Sequence, residues 1–355
     1  MGKINYLRKK IDRIDKDILK LLNIRAEIAI LIGEEKSRVK SNFHVPDRER
    51  EIIEHLTRIN RGPFPNDSLK SVYREILSAT LSLERPLTIS YLGPEATFTH
   101  LAAINQFGSS AVYVPMDRLD IIFSEVEAGR TDYGVVPIEN SMEGVVTYTL
   151  DLFMDSNVNI CGEILLEINH YLMSNCKNIR DIKKIYSHPQ PLAQCRLWLE
   201  KNLPGISYHD APSTAKAAKM AAGEKKAAAI ASEAAAGLYG LNILAKKIED
   251  NRDNYTRFLI IGKTKRKKSG NDKTSILVSI KDRVGALSHL LDPFAKNKIN
   301  LTKIESRPLR KRAWEYVFYI DFEGHIEDKG VMRTIEKLKK EVLFLKTLGS
   351  YPKWS

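Results

Sequence analysis

Pro86-Leu87-Thr88-Ile89-Ser90-Tyr91-Leu92-Gly93-Pro94 decides how this chain is divided. Before Pro86, apolar residues recur every three or four positions, the period of a helix. From Leu87 they alternate with small polar residues, the period of a strand, and Gly93-Pro94 then turns the chain.

Upstream, Ile4, Leu7, Ile11, Ile14, Ile18, Leu21, Ile28 and Ile32 predict one amphipathic helix of about eight turns. That length suits a helical bundle shared between chains better than a single globular domain. A second helix is expected from Pro46-Asp47 to about Asn60, where Arg61-Gly62-Pro63-Phe64-Pro65 breaks it. A third runs from Asn66 or Asp67 to Glu84, and Pro86 ends it.

Downstream, short strands and helices alternate as far as Gly262, as in an α/β domain. The alanine-rich stretch Ser213–Gly240 predicts two helices, capped by Ser213 and Ser232, around a strand at Ala227–Ala231. Beyond the basic run Lys263, Lys265, Arg266, Lys267, Lys268, the order is strand 274–280, helix 285–296, strand 299–306, strand 314–322, helix 329–341, strand 344–349. This βαββαβ order is ferredoxin-like. The fold expected is therefore multidomain: all-helical at 1–85, α/β at 86–262, a basic linker at 263–271, and α+β at 272–355.

Composition narrows the function classes. Hydrophobic residues make up 43% and charged residues 28% of 355, which is ordinary for a globular protein. No apolar stretch is long and uncharged enough to cross a bilayer, and Met1–Lys10 lacks the apolar core of a secretion signal, so the cytoplasm is the expected location. Cys161, Cys176 and Cys195 fit neither a zinc site nor a disulfide framework, and reduced thiols are expected. The net charge of +12 is unevenly spread: 18 basic and 13 acidic side chains in 1–85, 16 and 20 in 86–262, 22 and 11 in 263–355. With a slightly acidic middle block and a basic run that reads as a solvated linker, nucleic-acid binding is the weakest option.

The first helix carries charge on its apolar seam. Arg25 stands where an apolar residue is due, and the seam continues to Lys36. Eleven residues apart, the two lie within about 20° of one face and roughly 16 Å apart along the axis. Arg8 points about 100° away from Arg25, so only a symmetric partner chain could bring an Arg8 to the same ligand. Buried cations need anionic partners. Either Arg25 and Lys36 pair with glutamates such as Glu49 in a structural network, or they line a pocket for a small dicarboxylate.

Leu7-Arg8, Asn23-Ile24-Arg25, Gly33-Glu34-Glu35-Lys36 and Val45-Pro46-Asp47-Arg48-Glu49-Arg50 resemble the all-helical chorismate mutase family. The resemblance implies that Arg8 of the partner chain, Arg25, Lys36, Arg48 and Glu49 contact substrate, joined by Thr80 and Glu84 from the third helix. It also implies an intramolecular rearrangement needing no nucleophile, metal or cofactor. The protein would hold a chair-like conformer and stabilise charge on the breaking ether bond, with Lys36 donating to the ether oxygen and arginines gripping the carboxylates. Val45 stands where some members have an acidic residue, and Glu84 where some have glutamine.

Four polar motifs follow apolar strands in the middle block: Tyr91–Phe98; Gly134–Ser141 with Pro137-Ile138-Glu139-Asn140-Ser141; Tyr186-Ser187-His188-Pro189-Gln190 with Gln194; and Asn254–Phe258. Ligands of α/β sheets sit beyond the carboxyl ends of strands. Together and in this order the motifs resemble prephenate dehydratase, which implies a two-lobed fold like the type II periplasmic binding proteins. It further implies a cleft lined by Glu139, Asn140, Ser141, Ser187, Gln194, Thr256, Arg257 and Phe258. Thr256 would bond the departing hydroxyl, and Arg257 would anchor a carboxylate or form a surface ion pair. Ala96 stands where the family's loop often has glycine. His188 is the one acid–base residue in these motifs, and a turn role suits it.

Residues 272–355 resemble an ACT domain. Gly285-Ala286-Leu287 and Glu305-Ser306-Arg307-Pro308 match the phenylalanine-sensing motifs of dehydratases, implying feedback inhibition and a dimer or higher oligomer. The alternatives are a non-catalytic amino-acid sensor, or a dehydratase whose helical block has decayed into a dimerisation element. Glu84 can donate a hydrogen bond only when protonated, so mutase activity is expected to fall as the pH rises above neutral. A flat rate profile from mildly acidic to mildly alkaline pH would remove that role.

Overall fold

The computed structural model describes residues 2–39, 43–281, 283–308 and 316–354. The chain forms two compact units, one reaching to Thr88 and including Ile104–Val112, the other holding Ile89–Ala103 and Tyr113 onwards.

The first unit is built on α1 (Gly2–Arg38), α2 (Pro46–Ile59) and α3 (Asn66–Glu84). Pro46 opens α2, where its missing N–H costs nothing, and Asp47 and Glu49 face the positive helix end. Arg85 is extended because Pro86 follows it, and that stops α3. Gly33 lets α1 and α3 touch, since a Cβ there would lie 3.0 Å from the Glu84 Cβ. Only Ala29 and Gly33 of α1 are buried. Its apolar stripe stays open, with Ile11, Ile14 and Ile18 half or more exposed (57%, 56% and 50%).

After α3 the chain forms β1 (Thr88–Leu92), α4 (Phe98–Phe107), β2 (Val112–Met116), α5 (Leu119–Ala128), β3 (Tyr133–Asn140), β4 (Gly144–Val145), α6 (Thr147–Asp155) and β5 (Asn159–Glu167). It continues through β6 (Tyr171–Ser174), β7 (Lys184–Ser187), α7 (Pro189–Gln194), α8 (Arg196–Asn202), β8 (Ser207–Asp210), α9 (Thr214–Ala222), β9 (Ala227–Ala231), α10 (Glu233–Tyr239) and β10 (Asn242–Ala245). It returns along β11 (Tyr255–Gly262). Two sheets result, ordered β2-β1-β3-β11-β5 and β10-β6-β9-β7-β8, one for each lobe. The chain crosses between lobes twice, after β5 and before β11. The crossing segments bond to each other, Ile168 N–H to Asn254 O at 2.8 Å and Ile248 N–H to His170 O at 2.9 Å. Ser213 caps α9 by accepting the Lys216 N–H, whereas the Ser232 hydroxyl, expected to cap α10, donates to Ala96 O instead. Ala96 itself takes φ 61°, the left-handed conformation that suits glycine.

The C-terminal part is β12 (Asp272–Ile280), α11 (Ala286–Lys296), β13 (Leu301–Pro308), β14 (Tyr316–Glu323), α12 (Lys329–Glu341) and β15 (Phe344–Pro352), with antiparallel order β13-β14-β12-β15. Trp314, the expected start of the third strand, lies outside the described residues. Alternation along this sheet serves two cores. Ile276, Val278, Ile320 and Phe322 face α11 and α12, while Leu277, Val317, Tyr319 and Leu348 pack with Ile160, Leu259 and Ile261 of the first lobe. Gly349 permits this approach, because a Cβ there would run into the backbone of Ile160.

Charge ties the same two layers together. Arg257 of β11 donates to Glu163 Oε2 at 2.8 Å, Asp321 Oδ2 at 2.6 Å and Tyr351 Oη at 3.1 Å. Lys273 Nζ lies 2.8 Å from Glu163 Oε2. Burial pushes the Glu163 carboxyl up, but Arg257 and Lys273 together hold it below the usual carboxylate range. Asp321 is fully buried. Removing Arg257 would leave that carboxylate without its cation, so Arg257→Ala is expected to cost about 3–5 kcal/mol. Urea unfolding of the full chain measures it, and a loss of about 1 kcal/mol or less, the worth of a surface pair, would exclude this role for the arginine.

Candidate active sites

In the helical unit, α1 and α3 bring four of the expected residues together in two pairs. Arg25 Nη1 donates to Thr80 Oγ1 at 2.5 Å, and Lys36 Nζ donates to Glu84 Oε2 at 2.7 Å and to Phe43 O at 2.8 Å. Thr80 returns its own hydrogen to the backbone of α3, at Ile76 O. Arg25 therefore meets a hydroxyl, not Glu49, whose carboxylate lies 3.3 Å from His44 Nε2. Arg48 reaches Glu51 on the exposed face of α2. Arg8 stands on the exposed part of α1, about 26 Å along the axis from Arg25. Glu84 is the acceptor in its bond with Lys36.

In the two-lobed part, a chain of side-chain amides runs along the crossing segments. Asn140, at the end of β3, accepts the main-chain N–H groups of Met142 and Glu143 on Oδ1, at 3.0 and 3.1 Å. Main-chain N–H groups only donate, so the Asn140 amide is oriented. Its Nδ2 donates to Asn254 Oδ1 and to Thr256 Oγ1, each at 2.8 Å. Asn254 Nδ2 then donates to Gln194 Oε1 at 3.1 Å, and His170 Nε2 meets the same oxygen at 2.8 Å. Gln194 Nε2 is buried and spends its hydrogens on no atom of the described residues. The Thr256 oxygen is occupied by Asn140, which leaves the Thr256 hydroxyl hydrogen to be given elsewhere. The junction therefore offers two donors, suited to a ligand that brings only acceptors.

Other expected residues sit around this chain. Ser141 Oγ donates to Asp253 O and accepts the Tyr255 N–H, which fastens the end of β3 to the start of β11. Ser187 is fully buried and donates to Ile230 O. His188 caps α7, accepting the Gln190 N–H, which is the turn role. Arg257 does not join the chain: strand alternation turns it to the opposite face from Thr256, into the buried ion cluster with Glu163 and Asp321. Phe258 is 2% exposed and enclosed within the first lobe. Two members of the junction, Asn254 and His170, were assigned no role by sequence reasoning. Asn254 opens a recognised motif, whereas His170 follows Asn169 between two apolar strands, a pattern that reads as a plain turn.

Gly285 adopts φ 77° at the start of α11, a conformation that favours glycine, and Ala286 and Leu287 form the first turn of that helix. Glu305, Ser306, Arg307 and Pro308 end the edge strand β13. The same strand reaches the first lobe, through Lys303 Nζ to Glu139 Oε2 at 2.6 Å and Arg307 Nη2 to Asp151 Oδ1 at 3.5 Å. Glu139 thus stands between Asn140 and the C-terminal sheet.

Comparison with known proteins matches all three parts. Residues 7–85 match the family model of chorismate mutase type II, 89–266 that of prephenate dehydratase, and 274–340 that of the ACT domain. A bifunctional chorismate mutase/prephenate dehydratase of Aquifex aeolicus is 53% identical over 357 residues, covering 99% of each chain. One of Pseudomonas aeruginosa is 44% identical over 356 residues, covering 99% of this chain and 98% of its own. The crystal structure of prephenate dehydratase from Arthrobacter aurescens in complex with L-Phe superposes with a TM-score of 0.69 at 36% identity, covering 75% of this chain and 90% of that one. With helical unit, two-lobed part and C-terminal sheet each matched, and relatives alike from end to end, the chain belongs to the bifunctional chorismate mutase/prephenate dehydratase family.

Proposed function

We propose that Arg25, Thr80, Lys36 and Glu84 hold chorismate, and that Thr256 and Gln194 act on prephenate. The enzyme turns chorismate into prephenate and prephenate into phenylpyruvate, and phenylalanine inhibits it through the ACT domain. Chorismate brings two carboxylates and an ether oxygen, all acceptors. Arg25 can grip a carboxylate while Lys36, released from Glu84, donates to the ether oxygen. The placement of Arg25 and Lys36 on the apolar seam, where packing alone would favour apolar residues, argues against a decayed helical block.

Prephenate likewise presents carboxylates and a hydroxyl. As carbon dioxide leaves, its bonding electrons enter the ring and expel the hydroxyl at the opposite carbon, and aromaticity supplies the driving force. The protein has to orient the ring and bond the departing oxygen. The observation that carries this reading is the amide chain ending in two donors, the Thr256 hydroxyl and Gln194 Nε2, that are given to no atom among the described residues. Glu139, Asn140, Ser141, Ser187, Arg257 and Phe258 then support the cleft, Arg257 by anchoring β11.

The functional domains are proposed as 1–85, 86–262 and 272–355, with 263–271 as linker. Gly285–Leu287 and Glu305–Pro308 are proposed to bind phenylalanine. A second copy of the chain is proposed to cover the open apolar stripe of α1 and to supply Arg8, with Arg48 and Glu49 closing the site from α2. No described helix is long and apolar enough to cross a membrane, and the cytoplasm is the proposed compartment.

Two measurements test these assignments. Thr256→Ala should abolish phenylpyruvate formation and leave chorismate consumption unchanged; near-normal dehydratase activity would refute the Thr256 role. Ile14→Asp places a charge on the stripe and should lower mutase activity by about 100-fold through loss of the partner's Arg8, with dehydratase activity kept. Undiminished mutase activity in that variant would exclude the shared helical site.

A further inference from the structure

The buried group at the far end of the amide chain has no part in the reaction as described so far. His170 is 1% exposed and lies on the first crossing segment, between β5 and β6. Four contacts fix it. Its main-chain N–H donates to Glu249 Oε2 at 2.8 Å and its carbonyl accepts from Ile248, both on the second crossing segment. Phe98 packs against its ring in a T-shaped contact, with centroids 5.7 Å apart. Its Nε2 meets Gln194 Oε1.

The direction of every bond in the chain follows from its first member. Asn140 is oriented by two main-chain donors, so it presents nitrogen to Asn254, and Asn254 presents nitrogen to Gln194. Gln194 therefore presents oxygen, and the imidazole that meets this oxygen must carry its hydrogen on Nε2. Burial pushes the His170 pKa down, outweighing the Gln194 bond and the charge of Glu249, which keeps the ring neutral with the hydrogen on one nitrogen.

We propose that His170 is a positioning residue for the dehydratase reaction: its Nε2–H, together with Asn254, clamps the Gln194 oxygen and so aims the Gln194 NH2 group at prephenate. The inference rests on the reading that Gln194 and Thr256 act on that substrate. Prephenate presents two carboxylates, which only accept, so the amide faces them with nitrogen. A half-turn of the Gln194 amide would set oxygen against a carboxylate oxygen, and would press NH2 against two donors. With His170 gone, only the Asn254 donor opposes that turn. The placement of His170 also has the clamp bridge the two crossing segments, so it holds Gln194 of the second lobe in register with Asn140 and Thr256 of the first.

A double-mutant cycle on the full chain tests the clamp. His170→Leu removes the donor, and His170→Gln restores one near the Nε2 position. Chorismate consumption and phenylalanine affinity report folding in every variant. His170→Leu should lower kcat/KM for prephenate by about 10- to 100-fold, the scale of a misplaced contact. His170→Gln should recover most of that loss. In a Gln194→Ala background, His170→Leu should cost nothing further, because the two residues act as one. Equal losses from His170→Leu in both backgrounds, or a glutamine variant no better than leucine, would overturn the proposal while leaving Gln194 in place. Full activity of Gln194→Ala would instead remove the site reading on which the proposal rests.

Discussion

One strand, β11, carries the constraint on which the second unit depends. It returns from the second lobe to lie antiparallel between β3 and β5 in the first. Successive side chains of a strand point to opposite faces. Thr256 therefore meets Asn140 at the lobe junction, while Arg257, the next residue, enters the buried ion cluster under the C-terminal sheet. A slip of one residue would exchange the two, burying a threonine among carboxylates and sending the arginine to the junction. The cluster of Arg257 with Glu163, Asp321 and Lys273 penalises that slip, because each charge left unpaired in the interior is costly. Register and charge balance thus fix the placement of the proposed catalytic hydroxyl.

The same geometry places the ACT sheet against the strands that build the dehydratase junction. β13 and β14 reach β3 and β11 through Lys303–Glu139 and Asp321–Arg257. Both strands carry a proposed site residue next to the tied one, Asn140 after Glu139 and Thr256 before Arg257. For the phenylalanine site proposed at the end of β13, these two ion pairs are the contacts that lead toward the junction. Inhibition needs a difference in contacts between two states of the protein, since a ligand bound equally to both shifts nothing.

The helical unit solves a different problem. Its long helix buries few of its own apolar residues within the chain, yet it holds Arg25 and Lys36 against α3. The cations are satisfied locally by Thr80 and Glu84, which spares them the cost of isolated burial. In the proposed mutase site, substrate would replace one acceptor on Lys36, Glu84, with another.

The division into helical, α/β and ferredoxin-like parts was legible in the sequence, because periodicity is a local property and each element declares its own face. The three helices of 1–85, the strand at Ala227–Ala231 and the βαββαβ order follow from local pattern, and so do Arg25 and Lys36 as charges on an apolar seam. The family resemblance added Thr256, Asn140 and Gln194. What spacing could not supply was which way a side chain turns once strands from distant parts of the chain pair. Arg257 and Thr256 are neighbours in one motif, yet the pleat sends them to separate tasks. The Ser232 hydroxyl leaves its helix for Ala96 O because the fold brings that carbonyl within reach. His170 gives no sign in its own segment, since its meaning lies in a hydrogen bond to Gln194, which only the folding of the second lobe brings within 2.8 Å. Local pattern determined the elements; the pairing of remote segments decided which donors and charges meet.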